Sequence, residues 1–194
     1  MTTSLSVARS ELILGGQKSG KSRRAELLAR SWLASSPTHR AVLIATAQPW
    51  DEEMRERIAR HQTDRAERVP GMQTVEEPLA LGPTLARHSQ PQTLVVVDCL
   101  TLWLTNLLMP MENSKQNEAL AHDPRAQVAM LLRAIENAAG PVVLVGNEIG
   151  LGVIPLGRET RAFVDALGLM NQDVAQACQR VTFMAAGLPL TLKG

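Results

Sequence analysis

The residues Gly15-Gly16-Gln17-Lys18-Ser19-Gly20-Lys21-Ser22 fit the pattern G-x-x-x-x-G-K-[ST], between an apolar run at 12–14 and a helix-like stretch beginning at Arg23. Few folds accept that arrangement. A buried strand has to turn sharply into a helix, the glycines let several backbone N–H groups converge, and the helix N-terminus adds partial positive charge at the same point. Such a turn is a phosphate cradle, in which Lys21 would hold the β- and γ-phosphates and Ser22 would ligate Mg²⁺. The plainer reading, a Gly-rich turn with an incidental Lys-Ser pair, leaves the flanking strand and helix unexplained.

The remainder of the chain repeats the same alternation. Apolar runs at 12–14, 41–45, 94–97, 142–145 and 181–184 are rich in β-branched residues and lack polar alternation, as in strands buried on both faces of a parallel sheet. Helix-like stretches at 23–34, 51–63, 100–108, 126–138 and 159–177 lie between them, the last with a break expected near Gly168. The pattern predicts an α/β, P-loop NTPase-like fold: a mostly parallel central sheet flanked by helices, in a single domain over 11–194 after a flexible segment 1–10. Residues 69–73, with their Pro-Gly, and the polar segment 110–124 read as loops.

Composition narrows the partners. With 20 Lys and Arg against 19 Asp and Glu, the formal net charge of +1 gives no field to gather nucleic acid or an acidic membrane, so an anionic ligand has to be held locally. No segment approaches the ~18 apolar residues of a membrane span. Cys99 and Cys178 sit in apolar surroundings without metal-ligand spacing and read as reduced thiols, which points to the cytoplasm. His39, His88 and His122 fall in polar, turn-like segments and read as solvated.

Two other features invite a chemical reading. The run Leu94-Val95-Val96-Val97 ends in Asp98, where a Mg²⁺-side carboxylate is expected, although an Asp there also suits a helix N-cap. The stretch Asp51-Glu52-Glu53-Met54 onward begins acidic and becomes basic, matching the helix dipole at both ends. Met54, Ile58 and His61 follow the i, i+4, i+7 spacing of one helix face, which turns the imidazole toward the sheet side. On spacing alone, a dipole-stabilised His near a helix C-terminus is the simpler account of His61.

Taken in order, these motifs resemble the bifunctional adenosylcobinamide kinase/adenosylcobinamide-phosphate guanylyltransferase family of cobalamin biosynthesis. The resemblance covers nearly the whole chain. It rests on the phosphate loop, Ala45-Thr46-Ala47, the Asp51 to His61 stretch, Thr74-Val75-Glu76-Glu77-Pro78 and Asp98-Cys99-Leu100-Thr101-Leu102-Trp103-Leu104-Thr105-Asn106. Asn147-Glu148-Ile149-Gly150-Leu151-Gly152-Val153-Ile154-Pro155, Asn171-Gln172 and Gly187-Leu188-Pro189 complete it.

The resemblance implies two reactions: phosphorylation of the adenosylcobinamide hydroxyl by ATP or GTP, then transfer of GMP from GTP to that phosphate with release of pyrophosphate. It also implies a covalent guanylyl phosphoramidate on His61, Mg²⁺ at Ser22 and Asp98, and a homotrimer. Ala45, Thr46, Ala47, Gln62, Thr63, Asp64 and Arg65 would line the guanine nucleotide, with contacts from Glu76 and Asp98. Glu148 would position the acceptor hydroxyl or the metal, and Arg158 and Arg161 are open to either phosphate neutralisation or a solvated face.

Two departures stand out. The family places Arg-Pro and then Trp after the histidine, whereas here Arg65 leads into Ala66-Glu67-Arg68-Val69-Pro70-Gly71, and Gly146 stands where Thr usually precedes Asn-Glu. The first bears on base contacts more than on phosphotransfer. A guanylyltransferase without kinase activity, or a slowly hydrolysing nucleotide-binding switch, are the competing functions.

Overall fold

The computed structural model describes residues 5–49, 51–109 and 123–194, with backbone alone for Arg57 and His61. Its elements in chain order are β1 (Ser10–Gly15), α1 (Lys21–Ser35), β2 (Arg40–Ala45), α2 (Glu52–Arg68), β3 (Met72–Glu76), α3 (Leu81–His88), β4 (Thr93–Asp98), α4 (Leu100–Leu108), α5 (Pro124–Glu136), β5 (Val142–Val145), α6 (Arg158–Ala177), β6 (Arg180–Ala185) and β7 (Leu188–Lys193). The seven strands lie in the order β3-β2-β4-β5-β1-β6-β7. All neighbours are parallel except β7, which returns antiparallel on β6.

Strand alternation divides the core between the two sheet faces. Leu12 and Leu14 join a cluster with Leu85, Trp103, Leu131 and Leu167, so α3 to α6 cover that face. Ile13 joins Ala25, Leu28 and Val69 on the other, under α1. Because both faces are covered, the strands carry unbroken Val, Ile and Leu, and that is why they were readable as parallel strands.

Helix ends follow their capping residues. The Asp51 carboxylate accepts from the Met54 amide at 2.7 Å, with Glu52 and Glu53 in the first turn of α2 and Arg65 and Arg68 in its last. Asp123 caps α5 by accepting from the Arg125 and Ala126 amides, and Pro124 occupies the first turn, where its missing N–H costs nothing. The expected break in the last helix does not occur. α6 runs through Gly168 because Leu167, Met170 and Val174 bury one continuous face, which outweighs a glycine cost of about 1 kcal/mol.

Several boundaries differ from the sequence reading. The 69–73 segment is only partly loop: α2 extends to Arg68, Pro70-Gly71 makes the turn, and Met72–Glu76 pairs with β2. Helix α3 and strand β7 were not anticipated, because both are short and β7 is exposed along its whole length. His39 is not simply solvated: its ring stacks on Trp32 with centroids 3.7 Å apart, and Nδ1 lies 2.9 Å from the Trp32 carbonyl. His88 closes α3 rather than a turn, while His122 and most of the 110–124 loop lie outside the described residues.

Of the leading segment, Leu5 to Arg9 pack against the domain: Ser31 donates to the Leu5 carbonyl, and Ala8 is buried. A buried carboxylate joins three elements near the start of β1. Glu11, with no solvent exposure, pairs with Arg24 at 2.9 Å and Arg180 at 3.5 Å and accepts from Thr182 Oγ1 at 2.8 Å. Both cysteines are buried free thiols, and no described helix is long and apolar enough to cross a membrane.

Candidate active site

Strand register gathers the predicted residues at one edge of the sheet. Glu76 is opposite Ala45, Ala45 opposite Asp98 and Asp98 opposite Val145, so the C-terminal ends of β3, β2, β4 and β5 form a row. The phosphate loop leaves β1 beside β5. Because β5 intervenes, the ends of β1 and β4 lie two strand spacings apart, about 10 Å.

The loop itself is tightly held. Gly15 has φ 153° and a Cβ there would stand 2.4 Å from the Met184 carbonyl oxygen, while Gly20 has φ 103° at the N-cap of α1. Only glycine fits the first position, and the second favours it. The Gly15 carbonyl accepts from the Glu148 amide at 3.1 Å, and the Ser19 carbonyl from the Gly187 amide at 3.0 Å. The loop is thereby sewn to the segment after β5 and to the β6–β7 turn. Gly16 lines the bend, Gln17 and Lys18 are exposed at its tip, and Ser22 follows Lys21 into the helix.

Positive charge is concentrated here with little to balance it. The Lys21 ammonium is folded back onto the Gly16 carbonyl at 2.6 Å, and burial lowers its pKa against the pull of Cys99 and Asp98. Burial also pushes the Cys99 thiol to about 12, so that thiol is neutral and Asp98 is the effective counter-charge. Arg65 of α2 shares it: burial lowers its pKa, opposed by the charges of Asp98 and Glu26. Arg65 Nη1 and Ser19 Oγ are buried without a hydrogen-bond partner among the described residues. Two unpaired donors beside a desolvated lysine are groups that a phosphate oxygen would satisfy.

The residues expected at the base fall into two kinds. Ala45 and Ala47 are half-buried at the row's end. Thr46 is fully buried: its hydroxyl donates to the Cys99 carbonyl at 2.7 Å and accepts from the Cys99 amide at 2.9 Å, so its side chain braces β2 against β4. Gln62 donates to Glu76 at 3.0 Å, bringing those two together across α2 and β3. Thr63 bonds back to the Ala59 carbonyl, and Asp64 pairs with Arg68 at 3.2 Å. His61 lies one helical turn before Arg65 in α2; the expectation for its imidazole falls outside what is described.

Ser22 and Asp98 suit Mg²⁺ as a donor set, being hard oxygens with one carboxylate. Among the described residues no cluster of three or more His, Cys, Asp or Glu competes for a metal. Glu148 is half-buried, and its carboxylate accepts from the Gly150 amide at 2.6 Å. Arg161 donates to the Pro155 and Leu156 carbonyls, which makes it a loop brace rather than a free phosphate ligand, and Arg158 opens α6 as an exposed residue.

Helix α4 adds ties to which its motif residues alone assign no role. Thr101 Oγ1 accepts from the Asn147 amide at 2.8 Å, Trp103 Nε1 donates to the Leu79 carbonyl at 2.8 Å, and Asn106 Nδ2 donates to the carbonyls of Thr46 and Pro78 at 2.8 and 3.1 Å. One buried helix thus fixes the segments after β2, β3 and β5. The available signal was polar residues repeated inside an otherwise apolar helix.

A strand-turn-helix phosphate cradle and a carboxylate two strands away, on a parallel sheet covered on both faces, define a P-loop nucleotide-binding protein. The family described as cobinamide kinase / cobinamide phosphate guanyltransferase matches residues 11–192. A bifunctional adenosylcobalamin biosynthesis protein of Pseudomonas aeruginosa is 47% identical over 188 residues, covering 95% of this chain and 97% of that one. Another bifunctional adenosylcobalamin biosynthesis protein, from Escherichia coli K12, is 33% identical over 187 residues, covering 94% and 98%. The chain belongs to this family: it is a bifunctional cobinamide kinase and cobinamide-phosphate guanylyltransferase of adenosylcobalamin biosynthesis, using nucleoside triphosphates.

Proposed function

We propose that both reactions use the one nucleotide site at the phosphate loop. The observation that carries this is the pair of desolvated cations, Lys21 and Arg65, sharing Asp98 as counter-charge beside unpaired donors. In the kinase step the adenosylcobinamide hydroxyl attacks the γ-phosphorus of ATP or GTP. Its proton passes to a base or solvent as the nucleoside diphosphate leaves. In the second step a neutral His61 nitrogen attacks the α-phosphorus of GTP, forming a P–N bond as pyrophosphate departs. An oxygen of adenosylcobinamide phosphate then displaces His61, giving adenosylcobinamide-GDP.

Ser22 and Asp98 would hold Mg²⁺, which when bound offsets negative charge on the phosphates. Gln62 and Glu76 are suited to the base or ribose, since a carboxylate accepts from the guanine N1–H and amino group. The homotrimer expected from the family is supported in kind by β7, an edge strand with Leu188, Leu190 and Leu192 each more than half exposed. Two buried reduced thiols suit a cytoplasmic protein.

Two separate assays test the shared site: adenosylcobinamide with GTP labelled at the γ-phosphate, and adenosylcobinamide phosphate with GTP labelled at the α-phosphate. Label should pass to the corrinoid in each, and Lys21→Ala should suppress both. Loss of only one transfer in that variant contradicts a single site.

A further inference from the structure

The segment after β5 and the outer side of α6 enclose a groove of about 550 Å³ whose apolar wall includes Val153, Ile154 and Leu169. These residues are 96%, 76% and 63% exposed, and grouped exposed apolar residues rimmed by polar ones mark interaction sites. Arg161, Asp165 and Gln172 place charged and amide groups among them. The wall is built rather than loose, because Arg161 ties the Pro155 and Leu156 carbonyls to α6.

Gly168 supplies an independent sign. It lines the groove in the middle of a 20-residue helix, where glycine is unfavourable, yet among the described residues nothing beyond its chain neighbours and its own helix backbone comes within 4 Å of the place its Cβ would occupy. Internal packing therefore does not require the glycine. The missing methyl leaves the helix backbone open to close approach from outside.

The groove is also correctly placed for an acceptor. It opens at the C-terminal edge of the sheet, from a segment whose Glu148 amide is bonded to Gly15 of the phosphate loop. The other marked hollow, around Arg40, Gln90 and Thr93, is at the strand starts and away from the chemistry.

We propose that this groove binds the corrin ring of adenosylcobinamide, an inference that rests on the cobinamide activity of the family. A corrinoid is a broad, flat, apolar-faced ring fringed with carboxamide arms. Its edge fits an apolar wall with a glycine gap, Asp165 accepts from an amide N–H, and Arg161 and Gln172 donate to amide carbonyls. The hydroxyl-bearing arm then points along the Glu148 segment toward the phosphates. A second copy of the chain suits the groove less well, because charged residues are depleted at the centre of protein interfaces. Leu151 and Leu156, 79% and 97% exposed and outside the groove, are better placed for that.

The test uses the full-length protein and two variants, Gly168→Ala and Leu169→Glu, with adenosylcobinamide and GTP varied separately in the kinase assay, alongside the melting temperature and particle mass. Gly168→Ala should raise Tm, because alanine favours the helix, while raising the KM for adenosylcobinamide by about tenfold and that for GTP by less than about twofold. Leu169→Glu should show the same selective rise in KM. Higher stability with weaker corrinoid binding is a combination that a structural role for Gly168 does not produce. If wild-type protein does not phosphorylate adenosylcobinamide, the underlying activity fails and the inference with it. If wild-type is active and both variants keep the corrinoid KM, or if Leu169→Glu changes the particle mass, the groove assignment alone is overturned.

Discussion

At the scale of single residues, the site is organised by charges that the chain's own groups leave poorly satisfied. Arg65 is desolvated on α2 with one nitrogen unpaired among the described residues, which is costly unless something anionic arrives. Arg65→Met should therefore leave the Tm of the nucleotide-free protein unchanged or slightly higher, while GTP affinity falls about tenfold or more, roughly 1.4 kcal/mol. Thermal melts with and without GTP would show both effects, and a large loss of stability without nucleotide would mean that Arg65 is chiefly structural. The thiols behave oppositely. Burial pushes both Cys99 and Cys178 up to about 12, so neither forms appreciable thiolate near neutrality. Iodoacetamide at pH 8 should leave both unmodified in the folded protein and label both in urea, as read by intact mass.

At the scale of elements, α4 joins fold to site. Its Asn106, 1% exposed, holds carbonyls that follow β2 and β3, the strands that bring Ala47 and Glu76 to the nucleotide edge. Asn106→Leu keeps the volume but orphans both carbonyls, at about 1–3 kcal/mol each if they stay dry. A lowered Tm together with a raised KM for GTP is expected; a wild-type melt would contradict it. The strands around this helix were legible because burial on both faces demands unbroken apolar runs. Helix α3 and strand β7 were not, since eight residues with Gly-Pro in the first turn and a fully exposed Leu-Pro-Leu stretch carry no such pattern. The tie from Asn106 to Thr46 spans 60 positions and depends on a strand order that periodicity does not encode.

For the whole molecule, the strand order assembles the chemistry. Insertion of β5 between β1 and β4 sets the strand that leads into the phosphate loop two strands from Asp98, and parallel register brings Glu76 and Ala45 level with Asp98. The phosphate loop and Asp98 were readable from local pattern. The partners of Thr46, Gln62 and Arg65 required the folded sheet, and the groove along α6 required the path of the 146–157 segment. The central claim is that the α-phosphate of GTP is attacked at this edge by His61, so that one P-loop site serves a covalent transferase as well as a kinase. Intact-mass and peptide analysis of the protein after incubation with GTP and Mg²⁺, without corrinoid, tests it most directly. The account predicts one guanylyl group on the peptide carrying His61, labile in acid, stable in base and absent in His61→Ala; an unmodified wild-type protein under conditions where GTP is bound, or a guanylyl group on another residue, would contradict it.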